Sequence, residues 1–450
     1  MKSLNRSLSM LFIVVCSLLW VSASANSHDD FLECLYSYHP KESSSITQVI
    51  YTETNSSYSA VLDSSIRNHR FSTPNTPKPL VIVTPLNISH HGLQIRTRSG
   101  GHDYEGLSYV SHVPFVVIDL VNLRSVDVDV ENEEAWVQSG ATVGEVYYRI
   151  NERSTNLTFP AAVGRTVGIG GSISGGGDGL LFRKYGLSAD NVIDALLVDA
   201  NGRVLDRRSM GEDLFGPFEW AGPWNKMQHS FFIVGNTLHP IFRMMSTQSL
   251  RYQRRTPVKM GQRRFLPPLF HFSEGGANEF IPLMQERFPE LGLVKEDFIE
   301  MTWIESLLLM NGASNETSEI LLDRSNRYSL LPPSFKSKSD YVREPMPEIA
   351  LQGLWLHLLE IDEGGIAVQN FFAYGGIMEE ISETETPFPH RKGTLFKISY
   401  NIAYVNYRDL DIGRNNYYGK TSYKQASIWG HETDPKNFFK HEQSIPPRFH

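Results

Sequence analysis

Two widely separated glycine clusters constrain this chain more than any other feature. The first is Ser99-Gly100-Gly101-His102-Asp103-Tyr104-Glu105-Gly106, and the second is Val167-Gly168-Ile169-Gly170-Gly171-Ser172-Ile173-Ser174-Gly175-Gly176-Gly177. Glycine has no Cβ and takes positive φ cheaply, so such loops let main-chain N–H groups converge on a diphosphate. Two of them can cradle one dinucleotide. The second cluster does not fit the G-x-G-x-x-G fingerprint in any frame, which disfavours a conventional nicotinamide domain. The first follows the strand-like run Leu93-Gln94-Ile95-Arg96-Thr97 and begins beside Arg98, a cation placed to oppose phosphate charge. His102 inside that loop adds an imidazole that could anchor a flavin.

The 450 residues, 41% hydrophobic and 20% charged, can bury large cores and divide most simply into two lobes. Met1 to Ala25 has a basic start, an apolar run from Leu8 to Val21 and the small-residue exit Ala23-Ser24-Ala25, the pattern of a secretory signal peptide. That run is short for a membrane span, and no other stretch reaches the required length. Asn55, Asn87, Asn156 and Asn315 open glycosylation sequons that fit export. Cleavage leaves Cys34 as the single cysteine, so the mature chain has no internal disulfide. A net charge of −8 argues against nucleic acid. Between Trp220 and Ser273, however, there is no acidic residue, while Lys226, Arg243, Arg251, Arg254, Arg255, Lys259, Arg263 and Arg264 are basic. His90-His91 lacks further ligands at metal spacing, so no metal is expected.

Strands are expected at Leu80 to Thr84, Gln94 to Thr97, Phe115 to Leu120 and Ala135 to Gln138. Thr142-Val143-Gly144-Glu145 is a capping box opening a helix whose apolar face is Val143, Val146, Tyr147 and Ile150. Val192 to Val198, Asn201-Gly202 and Arg203 to Leu205 read as a β-hairpin. Further on, Glu279 to Phe288 and Trp303 to Met310 read as helices and Lys397 to Tyr400 as a strand. The acidic run from Glu379 to Glu385 reads as a solvated surface.

Arg98 to Gly106, Phe159-Pro160-Ala161, the second glycine cluster, Arg183-Lys184-Tyr185-Gly186-Leu187, Ala189-Asp190-Asn191-Val192 and Asn406-Tyr407-Arg408-Asp409-Leu410-Asp411 together resemble the plant berberine bridge enzyme-like family. The likeness runs in blocks from Phe31 to Pro447. It implies an α+β fold: a two-lobed FAD-binding domain of the p-cresol methylhydroxylase (PCMH) type, with a substrate domain of antiparallel sheet flanked by helices. The expected division is a signal peptide (1–25), an FAD-binding domain (26–255, atypical over 216–273), a substrate domain (256–400) and a C-terminal segment (401–450) returning to the flavin domain.

By the same resemblance the chain is a secreted, extracellular or cell-wall FAD oxidase. It would remove hydride from an alcohol or sugar carbon, of the oligosaccharide or monolignol class, and pass electrons to O2, giving H2O2. Arg98, Ser99, Gly100, Gly101, His102, Gly168, Gly170, Gly171, Ser174, Gly175, Gly176, Gly177, Val192 and Asn406 become the candidate FAD contacts. The covalent link runs through His102 alone, because Gly164 stands where many relatives place a second, cysteine tether. Tyr104, Lys397, Tyr404 and Tyr407 are the candidate catalytic groups.

The family pattern is also broken in places. Relatives have a glutamine or glutamate at Ser399, an aromatic at Asp178 and a histidine at Ser172. They pair the cysteine at Cys34 with one on a helix before the first glycine loop, and here Leu86 to His91 passes directly into the loop strand. Gly216-Pro217-Phe218-Glu219 replaces a Trp-Ala-Ile-Arg block, and these residues are what that block yields when read one nucleotide late. Helices are omitted after Tyr400 and after Gly430. Each omission is expected to uncover apolar sheet at roughly 25 cal/mol per Å². The competing reading is therefore a non-catalytic product of a degenerate or misassembled gene that keeps the flavin motifs.

Overall fold

The computed structural model describes residues 49–64, 66–84, 94–198, 204–210, 248–250, 269–271, 277–287, 294–297, 299–325, 339–351, 370–382 and 388–399, with residues 32, 289, 337 and 353 besides. The signal-peptide region, Cys34, Asn87, His90-His91, most of 216–273, and Tyr404, Asn406 and Tyr407 lie outside the described residues.

The first half is built on a four-stranded sheet of β1 (Ile50–Thr52), β2 (Val81–Val83), β3 (Gln94–Arg98) and β4 (Phe115–Asp119), in the order β1-β2-β4-β3. β2 and β3 both run parallel to β4, and β1 closes one edge antiparallel to β2. β4 is buried along its whole length, as a strand covered on both faces should be. Helix α1 (Tyr58–Asp63) packs Tyr58 and Leu62 with Ile82, Tyr109, Phe115 and Val117. This helix covers one face of the sheet; the segment before β3, where a helix is omitted, lies outside the described residues.

A hairpin of β5 (Val126–Asp129) and β6 (Glu134–Val137) leads to α2 (Val143–Arg153). The capping box forms as expected. The Thr142 hydroxyl accepts from the Glu145 amide and the Glu145 carboxylate accepts from the Thr142 amide. The apolar face of α2 is buried in the largest core cluster. The second glycine cluster follows as α3 (Ile169–Ser174), then α4 (Phe182–Tyr185). The second hairpin is shorter than expected: β7 (Leu197–Val198) pairs with β8 (Val204–Leu205), and Ala189–Asn191 is a 3-10 turn, with α5 (Arg207–Met210) after it.

Within 216–273 the described residues pair as β9 (Gln248–Leu250) against β10 (Leu269–His271). Helices α6 (Ala277–Arg287) and α7 (Trp303–Met310) stand where periodicity placed them. α7 belongs to the core of α2. Trp303, Leu307 and Leu308 lie in the same cluster as Val146 and Tyr147, and the Tyr147 and Trp303 rings meet edge to face at 5.6 Å. Residues 301–325 thus share a core with the helix that precedes the second glycine loop. β11 (Asp340–Val342), β12 (Asn370–Ala373) and β13 (Phe396–Ser399) form an antiparallel sheet in the order β11-β13-β12. α8 (Ile377–Glu380) buries Met378 and exposes Glu379 and Glu380. Among the described residues no helix is long and apolar enough to cross a membrane.

Candidate flavin site

β3 ends at Arg98 and delivers Ser99 to Gly101 onto the start of the second glycine cluster. A Cβ on Gly100 would collide with the backbone of Gly168, and one on Gly168 would collide with Gly100 and Ser99. Glycine at these two positions therefore joins the loops to each other. The junction is reinforced on both sides: the Ser99 hydroxyl donates to Ser139 O at 2.6 Å, the Ile169 amide donates to Ala141 O at 2.8 Å, and Gly168 bridges to Thr142. Gly101 has φ +69°, a conformation that glycine tolerates and a β-carbon penalises.

His102 lies at this junction. Its Nε2 is 2.8 Å from the Thr166 hydroxyl, on the residue before Val167. Burial, and then the nearby Arg67 guanidinium, push the imidazole down to about 3, so it is neutral throughout the physiological range. A neutral imidazole keeps the nitrogen lone pair that bond formation to a carbon needs. Tyr104 is half-buried, its carbonyl accepting from Asn68 Nδ2 at 3.3 Å. Asp103 caps the turn by accepting from the amides of Glu105 and Leu107.

The second cluster wraps α3. The Ser174 hydroxyl is exposed and donates to Gly170 O at 2.7 Å. Gly176 and Gly177 take positive φ, and their carbonyls accept from the amides of Ala189 and Ser188, which brings the turn preceding Val192 alongside. Gly171 is exposed, and a Cβ there would meet nothing within 4 Å. One flank of this loop is therefore open at Gly171, while the Ile169 and Gly170 amides are taken by Ala141 O and Ser139 O. That open flank, the neutral imidazole and the glycine-only junction together fit FAD.

Arg98 has a different role from the expected one. Its side chain is fully buried and directed into the core. Nε and Nη2 donate to Asp119 at 3.1 and 2.6 Å, Nη1 donates to Leu62 O, and Nη2 also donates to Val61 O. It ties β4 to the end of α1 and does not oppose phosphate, because a guanidinium satisfied by a carboxylate and two carbonyls within the core is turned away from the loop. The guanidinium at the loop is Arg67, whose Nε donates to Gly100 O at 3.3 Å and whose burial lowers it to about 10. Nothing in the local sequence singles out Arg67. Thr166, by contrast, is adjacent to the glycine cluster and was open to suspicion on that ground.

On the far side of the site, Lys397 of β13 is buried and its ammonium lies 4.7 Å from the Phe372 ring centroid. It forms an ion pair with Asp178, the residue after Gly177. A second buried pair, Arg391 with Asp190, joins the same two regions at 2.6 Å.

The chain matches the FAD binding domain family over residues 86–207 and the berberine and berberine like family over residues 403–446. A cannabidiolic acid synthase-like protein of Cannabis sativa is 38% identical over 540 positions, covering 97% of this chain and 98% of that protein. Tetrahydroberberine oxidase of Berberis wilsoniae is 38% identical over 543 positions, covering 99% of each. Both alignments are longer than the chain's 450 residues, so these relatives contain segments with no counterpart here. Among solved structures, a berberine bridge enzyme-like protein from Arabidopsis thaliana superposes with a TM-score of 0.79 at 36% identity, covering 89% of this chain and 98% of that one. A grass pollen allergen with glucose dehydrogenase activity superposes with a TM-score of 0.77 at 33% identity, covering 90% and 98%. The chain belongs to the berberine bridge enzyme-like family of FAD-linked oxidoreductases. Its α+β fold is that of the family's solved members.

Proposed function

We propose that the protein is a secreted FAD oxidase whose flavin is bonded through His102 alone, and that it removes hydride from an alcohol or sugar carbon and returns the electrons to O2 as H2O2. The observation that carries this reading is the place of His102 at the contact between two glycine loops, with its Nε2 2.8 Å from the Thr166 hydroxyl. Gly100, Gly101, Gly168, Gly170, Gly171, Ser174 to Gly177 and Val192 line the cradle, with Arg67 in place of Arg98. Asn406, Tyr404 and Tyr407 complete it on the strength of the family likeness. Gly164 offers no sulfur for a second bond.

Bound FAD would supply the two-electron acceptor. The chain's own residues bind and orient the substrate, with Tyr104 and Lys397 as its polar neighbours. A sugar or small alcohol fits the activity named for the pollen allergen, and a monolignol is the other class to test. The division into 26–255, 256–400 and 401–450 is proposed with it, with residues 301–325 packed on the core of the first of these. Export through a signal peptide at 1–25 accords with the exposure of Asn55, Asn156 and Asn315, three sequon asparagines on the surface.

The test is purification from a secreting host followed by acid precipitation and peptide mass spectrometry. The expected result is a yellow pellet, an adduct on the His102 peptide, and bleaching by a sugar or alcohol with H2O2 formed on readmission of air. A soluble, colourless protein with unmodified His102 would overturn it. A colourless aggregate would favour the degenerate-gene reading, for which the absent segments speak.

A further inference from the structure

The ion pair between Asp178 and Lys397 gives one half of the molecule a carboxylate that the loop sequence alone does not explain. Asp178 follows Gly177, whose positive φ and carbonyl bonds to Ser188 fix the exit of the second glycine loop. Its side chain is only 10% exposed and that of Lys397 1%. Lys397 and Ser399 project from the same face of β13, two residues apart in a strand. Ser399 carries a hydroxyl, which is a poor proton acceptor at neutral pH.

The other carboxylates around the loops have structural tasks. Asp103 caps its own turn, Glu105 pairs with Arg70, Asp119 with Arg98, Glu145 caps α2 and meets Arg324, and Asp190 pairs with Arg391. Asp178 is the described carboxylate that lies at once on a glycine loop and against the lysine of the facing sheet.

We infer that Asp178 is the proton acceptor of the oxidation, positioned by Lys397, in place of the acid-base group absent at Ser399. The inference rests on the oxidase reading above. A carboxylate has two oxygens and about four lone-pair sites, so contact with Lys397 at Oδ2 is compatible with accepting a proton. In the step, the substrate O–H breaks and its proton goes to the Asp178 carboxylate. The carbinol C–H would break as C=O forms, and its electron pair would leave to bound FAD, the two-electron acceptor.

The test uses the flavin-loaded protein in anaerobic stopped flow. Asp178→Asn is expected to slow bleaching by an alcohol or sugar at least about 100-fold, the lower end of what a general base contributes. Flavin content should be unchanged. Asp178→Ala is expected to regain rate in proportion to added formate, a rescue that a packing role would not show.

Because Asp178→Asn leaves Lys397 buried opposite a neutral group, the double variant Asp178→Asn with Lys397→Met is the second test if the single variant fails to fold; it should be at least about 100-fold slower than Lys397→Met alone. A readout independent of turnover is amine acetylation at Lys397 by mass spectrometry, expected to be faster in Asp178→Ala than in wild type. Wild type that bleaches, beside variants within threefold of it and without formate rescue, overturns the inference alone. Wild type that no alcohol or sugar bleaches overturns the oxidase reading and this inference with it. Unchanged Lys397 labelling overturns the pairing on which the inference stands.

Discussion

The half that holds both glycine loops and the seam where it meets the three-stranded sheet are secured in different ways. Within the first half, neighbouring segments exchange main-chain bonds, and Arg98 reaches a carboxylate on the adjacent strand while also serving two carbonyls of α1. At the seam, single charged side chains span 201 and 219 residues of sequence, Arg391 to Asp190 and Lys397 to Asp178. The first arrangement gathers a carboxylate and two carbonyls on one buried guanidinium, so its loss strands several groups at once. The second sets two ion pairs shielded from water beside an apolar cluster in which Phe182 and Leu187 pack with Tyr374, Met378 and Phe388, and in such pairs loss of one partner is costly.

Breaking this contrast begins with the buried arginines. Arg98→Met should destabilise by about 3–5 kcal/mol, since it strands Asp119 and two carbonyls in the core, and chemical denaturation reads this directly. Arg391→Met should cost about 3 kcal/mol, the low end of that range, because the Leu187 amide still serves Asp190 Oδ2 at 2.8 Å. Equal losses in the two variants would remove the distinction.

Acid sharpens the same comparison, because each region holds one half-buried imidazole whose surroundings favour the neutral form. Burial lowers His102 to about 3 and His390, stacked on Tyr341 at 3.8 Å and near Arg343, to about 4. The unfolded chain protonates these groups near 6.5. Their contribution to stability is therefore complete above about pH 6.5 and is lost as pH falls, down to about 3 for His102 and about 4 for His390. In flavin-free protein, His102→Gln should flatten the acid limb of a stability–pH curve more than His390→Gln does.

The smallest effects concern the two capping boxes. Thr142→Ala, at a buried helix start beside the glycine junction, should cost about 1 kcal/mol. Thr302→Ala, at the exposed start of α7, should cost about 0.5 kcal/mol, and paired melting curves would resolve the order.

Periodicity and caps were enough to place β2, β3, β4, β6, α2, α6 and α7, because each depends on neighbours within a few residues in the chain. β1, α1, β11 and β12 were missed. They are short, with three to six residues each, and their apolar positions make sense only against the strands and helices they cover. His102 was legible because its loop is a motif. Arg98 was misread because proximity to a loop in sequence does not say which way a long side chain turns.

The order of residues by itself determined the two glycine loops, the histidine inside the first of them and the membership of the chain in its family. Only the tertiary structure decided that Gly100 and Gly168 meet, that Arg67 and not Arg98 faces the loop, that residues 301–325 pack with α2, and that Asp178 finds Lys397. The physical reason is range. Backbone conformation and helix caps are set by residues a few places apart, whereas the partner of a buried charge is whichever opposite group the packed chain brings near enough to replace the water it has lost.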